Sequence, residues 1–139
     1  MTADPGLLRS QAVVRILHGT SNPSQGFSFG LGRSIAISPD GKTVAVGTFG
    51  GLHLYDTRTF EQIGKPVRGV YTSGALAYAP DGRTLAVSGG GFLSLLDART
   101  REVLEQAQLV EAATRMAFTS DGSRLVVVES VSGAESWIT

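Results

Sequence analysis

The chain has 139 residues, 42% of them hydrophobic and 17% charged, which is enough apolar material for one folded domain and too much for a disordered segment. Lys plus Arg and Asp plus Glu balance at 12 each, so no charge excess points to nucleic acid, an anionic membrane or a basic partner. The absence of cysteine excludes a disulfide framework, a thiolate nucleophile and a Cys-based zinc site, and no apolar run nears the ~20 residues of a membrane span.

The opening MTADPGLLRS lacks the basic and apolar regions of a signal peptide, so a cytoplasmic location is the default expectation. Residues 4–11 carry at most a short helical turn. AVVRILHG follows, and its residues Ala12, Val13, Val14, Arg15, Ile16 and Leu17 read as a strand with no strand before it. Next comes the polar, Gly-rich stretch TSNPSQGFSFGLGR, with Phe27 and Phe29 as its apolar side chains.

From Ser34 the chain repeats itself. SIAISPDGKTVAVG, GALAYAPDGRTLAVS and RMAFTSDGSRLVVV align on Asp40-Gly41, Asp81-Gly82 and Asp121-Gly122, spaced 41 and 40 residues apart, and each carries a fixed alanine: Ala36, Ala77 and Ala117. In each, two strands flank a turn in which Gly supplies the positive φ. A Gly-rich break leads to a third strand: LHLYD (Leu52 to Asp56), LSLLD (Leu93 to Asp97) and AESWI (Ala134 to Ile138). Fourth strands are predicted at FEQIG from Phe60 and EVLEQ from Glu102. Asp56 and Asp97 are expected to bond to backbone at the end of the third strand.

Four short strands per ~40–45 residues is the pattern of a β-propeller blade. IAISPDGKTVAVGTFGGLHLYD and LAYAPDGRTLAVSGGGFLSLLD resemble blades of bacterial WD40-type propellers, with Tyr55-Asp56 and Leu96-Asp97 where the Trp-Asp pair usually stands. FEQIGKPVRG is similar to the outer strand of such blades. The resemblance runs over roughly residues 12–139. Departures are the absence of Trp-Asp, the reversed His18-Gly19 pair before the first blade and Ile138 in place of the third Asp. It implies an all-β fold and a non-enzymatic protein-interaction scaffold.

The predicted blades are residues 34–68, 74–108 and 115–139, the last lacking an outer strand that residues 12–17 would supply. Rings hold about 4 to 8 blades. Two copies exchanging that strand would make six, so the expected assembly is a homodimer. A trimer, a different complementary half, a fragment of a larger propeller sensor or regulatory protein, and a self-assembling unit without a ligand all stay open.

Chemical motifs are weaker. Gly26-Phe27-Ser28-Phe29-Gly30 matches the G-x-S-x-G nucleophile elbow, but a strand follows where that motif needs a helix, and His53 is the sole later histidine. The triple glycine at 89–91 lacks the Lys-Ser/Thr of a phosphate loop, and two histidines without spaced carboxylates give no metal site. No catalytic residue, metal or cofactor is expected, and a propeller hydrolase is the least favoured reading. The stretch from Gly19 to Ile35 spans 16 positions, against 7 for Gly69 to Leu76 and for Leu109 to Met116. A long loop bearing Phe27 and Phe29 either builds a partner surface or tucks the two rings back onto neighbouring blades, and both readings stay open. Arg33 and Arg115, at the starts of inner strands, are expected to attract an anionic ligand or an acidic peptide.

Overall fold

Each Asp-Gly turn folds the same way. In the computed structural model, Gly41, Gly82 and Gly122 all have φ of 73°, and their amides donate to Ser38, Ala79 and Thr119 carbonyls at 2.8, 2.9 and 2.9 Å. The left-handed glycine lets the chain reverse between two strands that keep their pairing. The structure describes residues 21–22, 27–28, 32–48, 50–70, 72, 74–110, 113–129 and 135–138.

The order of elements is β1 (Ser21–Asn22), β2 (Phe27–Ser28), β3 (Gly32–Ile37), β4 (Thr43–Thr48), β5 (Gly51–Asp56), β6 (Leu76–Tyr78), β7 (Thr84–Gly89), β8 (Phe92–Asp97), β9 (Val103–Gln108), β10 (Ala113–Phe118), β11 (Leu125–Glu129) and β12 (Glu135–Ile138). They form antiparallel sheets in which sequence neighbours are spatial neighbours: β3-β4-β5, β6-β7-β8-β9 and β10-β11-β12, with β1 and β2 as a two-residue ladder. The described residues include no helix long and apolar enough to cross a membrane.

Register repeats with the sequence. Ala36 pairs with Ala45, Ala77 with Ala86 and Ala117 with Val126. Because side chains alternate across a strand, Ala36 and Ala45 of the first sheet lie on the face opposite Ile35 and Ile37, and Ala77 and Ala86 of the second on the face opposite Leu76 and Leu85, while in the third sheet Val126 stands at the second alanine position. The sheets stack along their first strands, β3 beside β6 and β6 beside β10. Ala45, Leu52 and Leu54 of the first sheet pack with Leu76, Leu85, Val87 and Leu96 of the second. The opposite face of the second sheet, with Ala77, Ala86 and Leu93, packs with Leu125 and Val127 of the third. This fan of meanders is a β-propeller-like arrangement.

One predicted strand is corrected. FEQIG does not form a regular fourth strand in the first repeat: only isolated bridges join Tyr55 to Gln62 and Leu52 to Val67. Between them Gly64 has φ of 68°, and Pro66 has no amide to donate. Hydrogen bonds still run from Ile63 N to Leu54 O (2.7 Å) and from Val67 N to Leu52 O (2.8 Å), so the segment follows β5 with a break in the middle. EVLEQ, free of Gly and Pro, does extend as β9. The assembly strand Ala12–Leu17 and Phe29 lie outside the described residues.

Candidate functional site

Among the described residues, two sheet faces and a groove are exposed for recognition. On the first sheet, the face turned away from the second exposes Ile35 at 65% and Ile37 at 61%. The residues in register with them are Val46 and Val44, followed across the sheet by His53 and Tyr55. His53 stacks on Tyr55 with ring centroids 6.5 Å apart, and its Nδ1 is 3.4 Å from Gln62 Nε2. Burial, then the positive charge of Arg68, lower the His53 pKa below the ordinary imidazole value, so the ring is neutral at pH 7.

On the third sheet, the face turned away from the second carries Ala117 and Arg115, both exposed, and Val128, 37% exposed. Val128 pairs with Arg115 and Val126 with Ala117; on the other side of β11, Val126 is in register with Trp137. Arg115 donates through Nη1 to the carbonyl of Thr114 at 2.8 Å. Arg33 falls on β3, ahead of the exposed isoleucines in the chain.

The groove lies between the second and third sheets. It encloses about 380 Å³ and is lined by Leu93, Leu95 and Glu105 on one side and by Phe118, Arg124 and Leu125 on the other. It runs beside β9, on the flank where the third sheet has three strands among the described residues and the second has four.

The turn carboxylates are occupied locally. Asp56 Oδ1 accepts from the amides of Arg58 (2.8 Å) and Thr59 (3.0 Å), and Asp97 Oδ1 accepts from Arg99 (2.9 Å) and Thr100 (2.8 Å). These bonds lower both pKa values. Asp121 accepts from the Thr119 hydroxyl at 2.6 Å and from Ser123, which lowers its pKa to about 2. Each carboxylate stiffens its own reversal of the chain. Among the described residues, no three of His, Asp and Glu gather where they could hold a metal ion.

The residues singled out in the sequence are placed unequally. Arg115 is at the third sheet's outer face, and the Ser of the G-x-S-x-G match falls in β2, followed by strand β3 rather than by a helix. Phe27 is also in β2, paired with Asn22. Sequence reading did not single out Ile35, Ile37 or Val128, because their repeat equivalents Leu76, Tyr78 and Ser88 read as ordinary strand positions. The usable signal was the pairing of a large and a small residue at adjacent repeat positions.

No family model matches the sequence, and no curated protein matches it. Among solved structures the chain is similar to Kuenenia stuttgartiensis hydrazine synthase, a protein that contains a β-propeller, with a TM-score of 0.65 and 22% identity. The match covers 72% of this chain and 29% of that one. At that identity the likeness concerns the fold, which is all-β, with antiparallel sheets arranged as in a β-propeller.

Proposed function

We propose that this protein is a non-enzymatic, WD40-like β-propeller that serves as a protein-interaction scaffold and assembles with a second copy by exchanging the strand Ala12–Leu17. In that assembly two chains make a six-bladed ring, and the exchanged strand lies beside β12 as the missing outer strand. The observation that carries the reading is the difference between the second and third sheets: β9 completes one, and among the described residues nothing stands in its place on the other. An unpaired sheet edge is a template for another strand.

Light scattering behind a sizing column tests the assembly, since a single chain has a mass of 14.5 kDa and a dimer has twice that. The intact chain is expected at the dimer mass, and Ile16→Pro, which removes a ladder amide, at the single-chain mass; a variant that stays dimeric refutes strand exchange. A second reading draws on the 29% coverage of the solved relative: the chain is a piece of a larger propeller, and an intact chain that runs as a monomer favours it. The scaffold role predicts that acidic peptides bind, and that Arg115→Ala weakens them by about tenfold in a fluorescence titration, corresponding to ~1.4 kcal/mol. Unchanged affinity removes Arg115 from the binding surface.

A further inference from the structure

We infer that the outer edge of β9 docks the β9 of a second copy, the two strands pairing antiparallel about Gln106. This contact is separate from strand exchange and from the stacked faces. β9 stands at the opposite end of its sheet from β6, the strand along which the sheets stack.

The edge is open and unprotected. All six residues of β9 are exposed, with Val103 at 49% and Leu104 at 55%, and Val110 just beyond the strand at 89%. Among the described residues no strand pairs with its outer side. Edge strands are ordinarily kept from further pairing by lysine, proline or a break in the ladder. The matching segment of the first sheet has all three: Lys65, Pro66 and the interruption between its isolated bridges at Gln62 and Val67. β9 reads VLEQAQ, without proline, glycine or a cation. Its register shift falls at the Leu95/Leu96 step, so Glu105, Gln106, Ala107 and Gln108 run in unbroken register with Leu95, Ser94, Leu93 and Phe92.

The ladder fixes which backbone groups point outward. The Leu109 amide donates to the Gly91 carbonyl at 2.7 Å, one rung beyond the pair Phe92 and Gln108. Bonded and non-bonded rungs alternate in an antiparallel pair. The amides and carbonyls of Glu105 and Ala107 are therefore turned to β8, and those of Gln106 and Gln108 are turned outward.

Charge and overlap then select the register. A two-fold axis perpendicular to the sheet keeps each face continuous, so outward residues meet outward residues. Centred on Gln106, the pair exchanges two bonds between the Gln106 backbones and sets Leu104 opposite Gln108. Glu105, the single charge on the strand, then stands opposite Ala107. A pair centred on Glu105 would set two carboxylates opposite each other, which is unfavourable, and one centred on Ala107 would leave Val103 and Leu104 beyond the end of the other strand. The Gln106 register also brings Val103 to the rung of Leu109, beside the exposed Val110, so the apolar ends of the two strands lie together.

Single cysteines report this contact directly, because the chain has none of its own. Gln106→Cys is expected to form a disulfide-linked pair under mild oxidation, since residues facing each other at a bonded rung have Cα atoms ~5.5 Å apart, within the span of a disulfide. Glu105→Cys and Ala107→Cys are each expected to stay unlinked alone, because like positions are offset by ~7 Å along the strands, and to link when mixed. Gln106→Pro removes an outward amide and leaves the ladder to β8 intact. Added to both Glu105→Cys and Ala107→Cys, it is expected to abolish the mixed link, while the far-ultraviolet circular dichroism spectrum stays that of the parent. The Gln106→Cys link is expected to persist in Ile16→Pro, which separates this contact from strand exchange. The inference is overturned if Gln106→Cys stays unlinked or links no more than Glu105→Cys, if the mixed link survives Gln106→Pro, or if the Gln106→Cys link is lost in Ile16→Pro.

Discussion

The first and second sheets are built from nearly the same sequence, yet the first strands of their large-residue faces have opposite fates. In the second strands Val44, at the position of Leu85, is 5% exposed and as buried as its counterpart. Leu76, Leu85 and Val87 are 7%, 2% and 0% exposed; Ile35 and Ile37, at the positions of Leu76 and Tyr78, are 65% and 61% exposed. Alternation in a strand specifies which residues share a face, and it is the neighbouring sheet that decides whether that face is buried. The second sheet has a neighbour on each side within the chain. In a repeat stack of this kind stability is largely a sum of neighbour contacts, so the middle sheet anchors the whole.

The largest expected effect breaks that contrast directly. Leu85→Ala should cost ~2–5 kcal/mol, since it opens a cavity against the first sheet, and Ser88→Ala ~1–3 kcal/mol. The Ser88 hydroxyl is fully buried and accepts from the Ala75 amide at 2.8 Å. Ile35→Ala should cost about 0.5 kcal/mol or less in dilute, unassembled chain. Urea midpoints measured for the three variants at one low protein concentration rank them. Equal losses at Leu85 and Ile35 would mean that the first sheet's outer face is covered within the single chain.

A smaller effect separates the turns. In the first and third repeats a hydroxyl bonds the turn carboxylate, Ser38 to Asp40 and Thr119 to Asp121, both at 2.6 Å. The second repeat has Ala79 there, and Asp81 accepts from the Arg83 amide. Asp121 is lowered from the ordinary 3.8 to about 2. A carboxylate whose folded pKa is depressed stabilises the fold above its unfolded value, and that stability is lost as pH falls through the folded value. Its contribution should therefore disappear between about pH 4 and pH 2. Titration of the Asp121 carboxyl followed by NMR should show the midpoint rising toward 3.8 in Thr119→Ala; an unmoved midpoint would contradict the hydroxyl as the main cause.

Much of this architecture was readable before any coordinates. The 41- and 40-residue offsets between Asp-Gly pairs, and the strands around them, depend on local chemistry: glycine for the reversal, alternation for the faces, and Asp56 and Asp97 for the backbone bonds that follow the third strands. The break in FEQIGKPVRG depends on Gly64 and Pro66 meeting β5 at particular rungs, which is a question of partner register. The β1–β2 ladder has the same character. Two residues per strand leave no periodicity to read, and the pairing of Asn22 with Phe27 is visible only once the chain has turned. The open faces required knowing which sheet stands beside which.

The three turn glycines carry a last consequence. Each sits at φ of 73°, and a Cβ at any of them would find no atom closer than 3.5 Å. Space is therefore available for a side chain, and what the backbone rejects is the handedness of an L residue. The positions at 41, 82 and 122 are reserved by chirality rather than by crowding, and a D-alanine at any of them would sit comfortably where its mirror image would strain the reversal on which each hairpin depends.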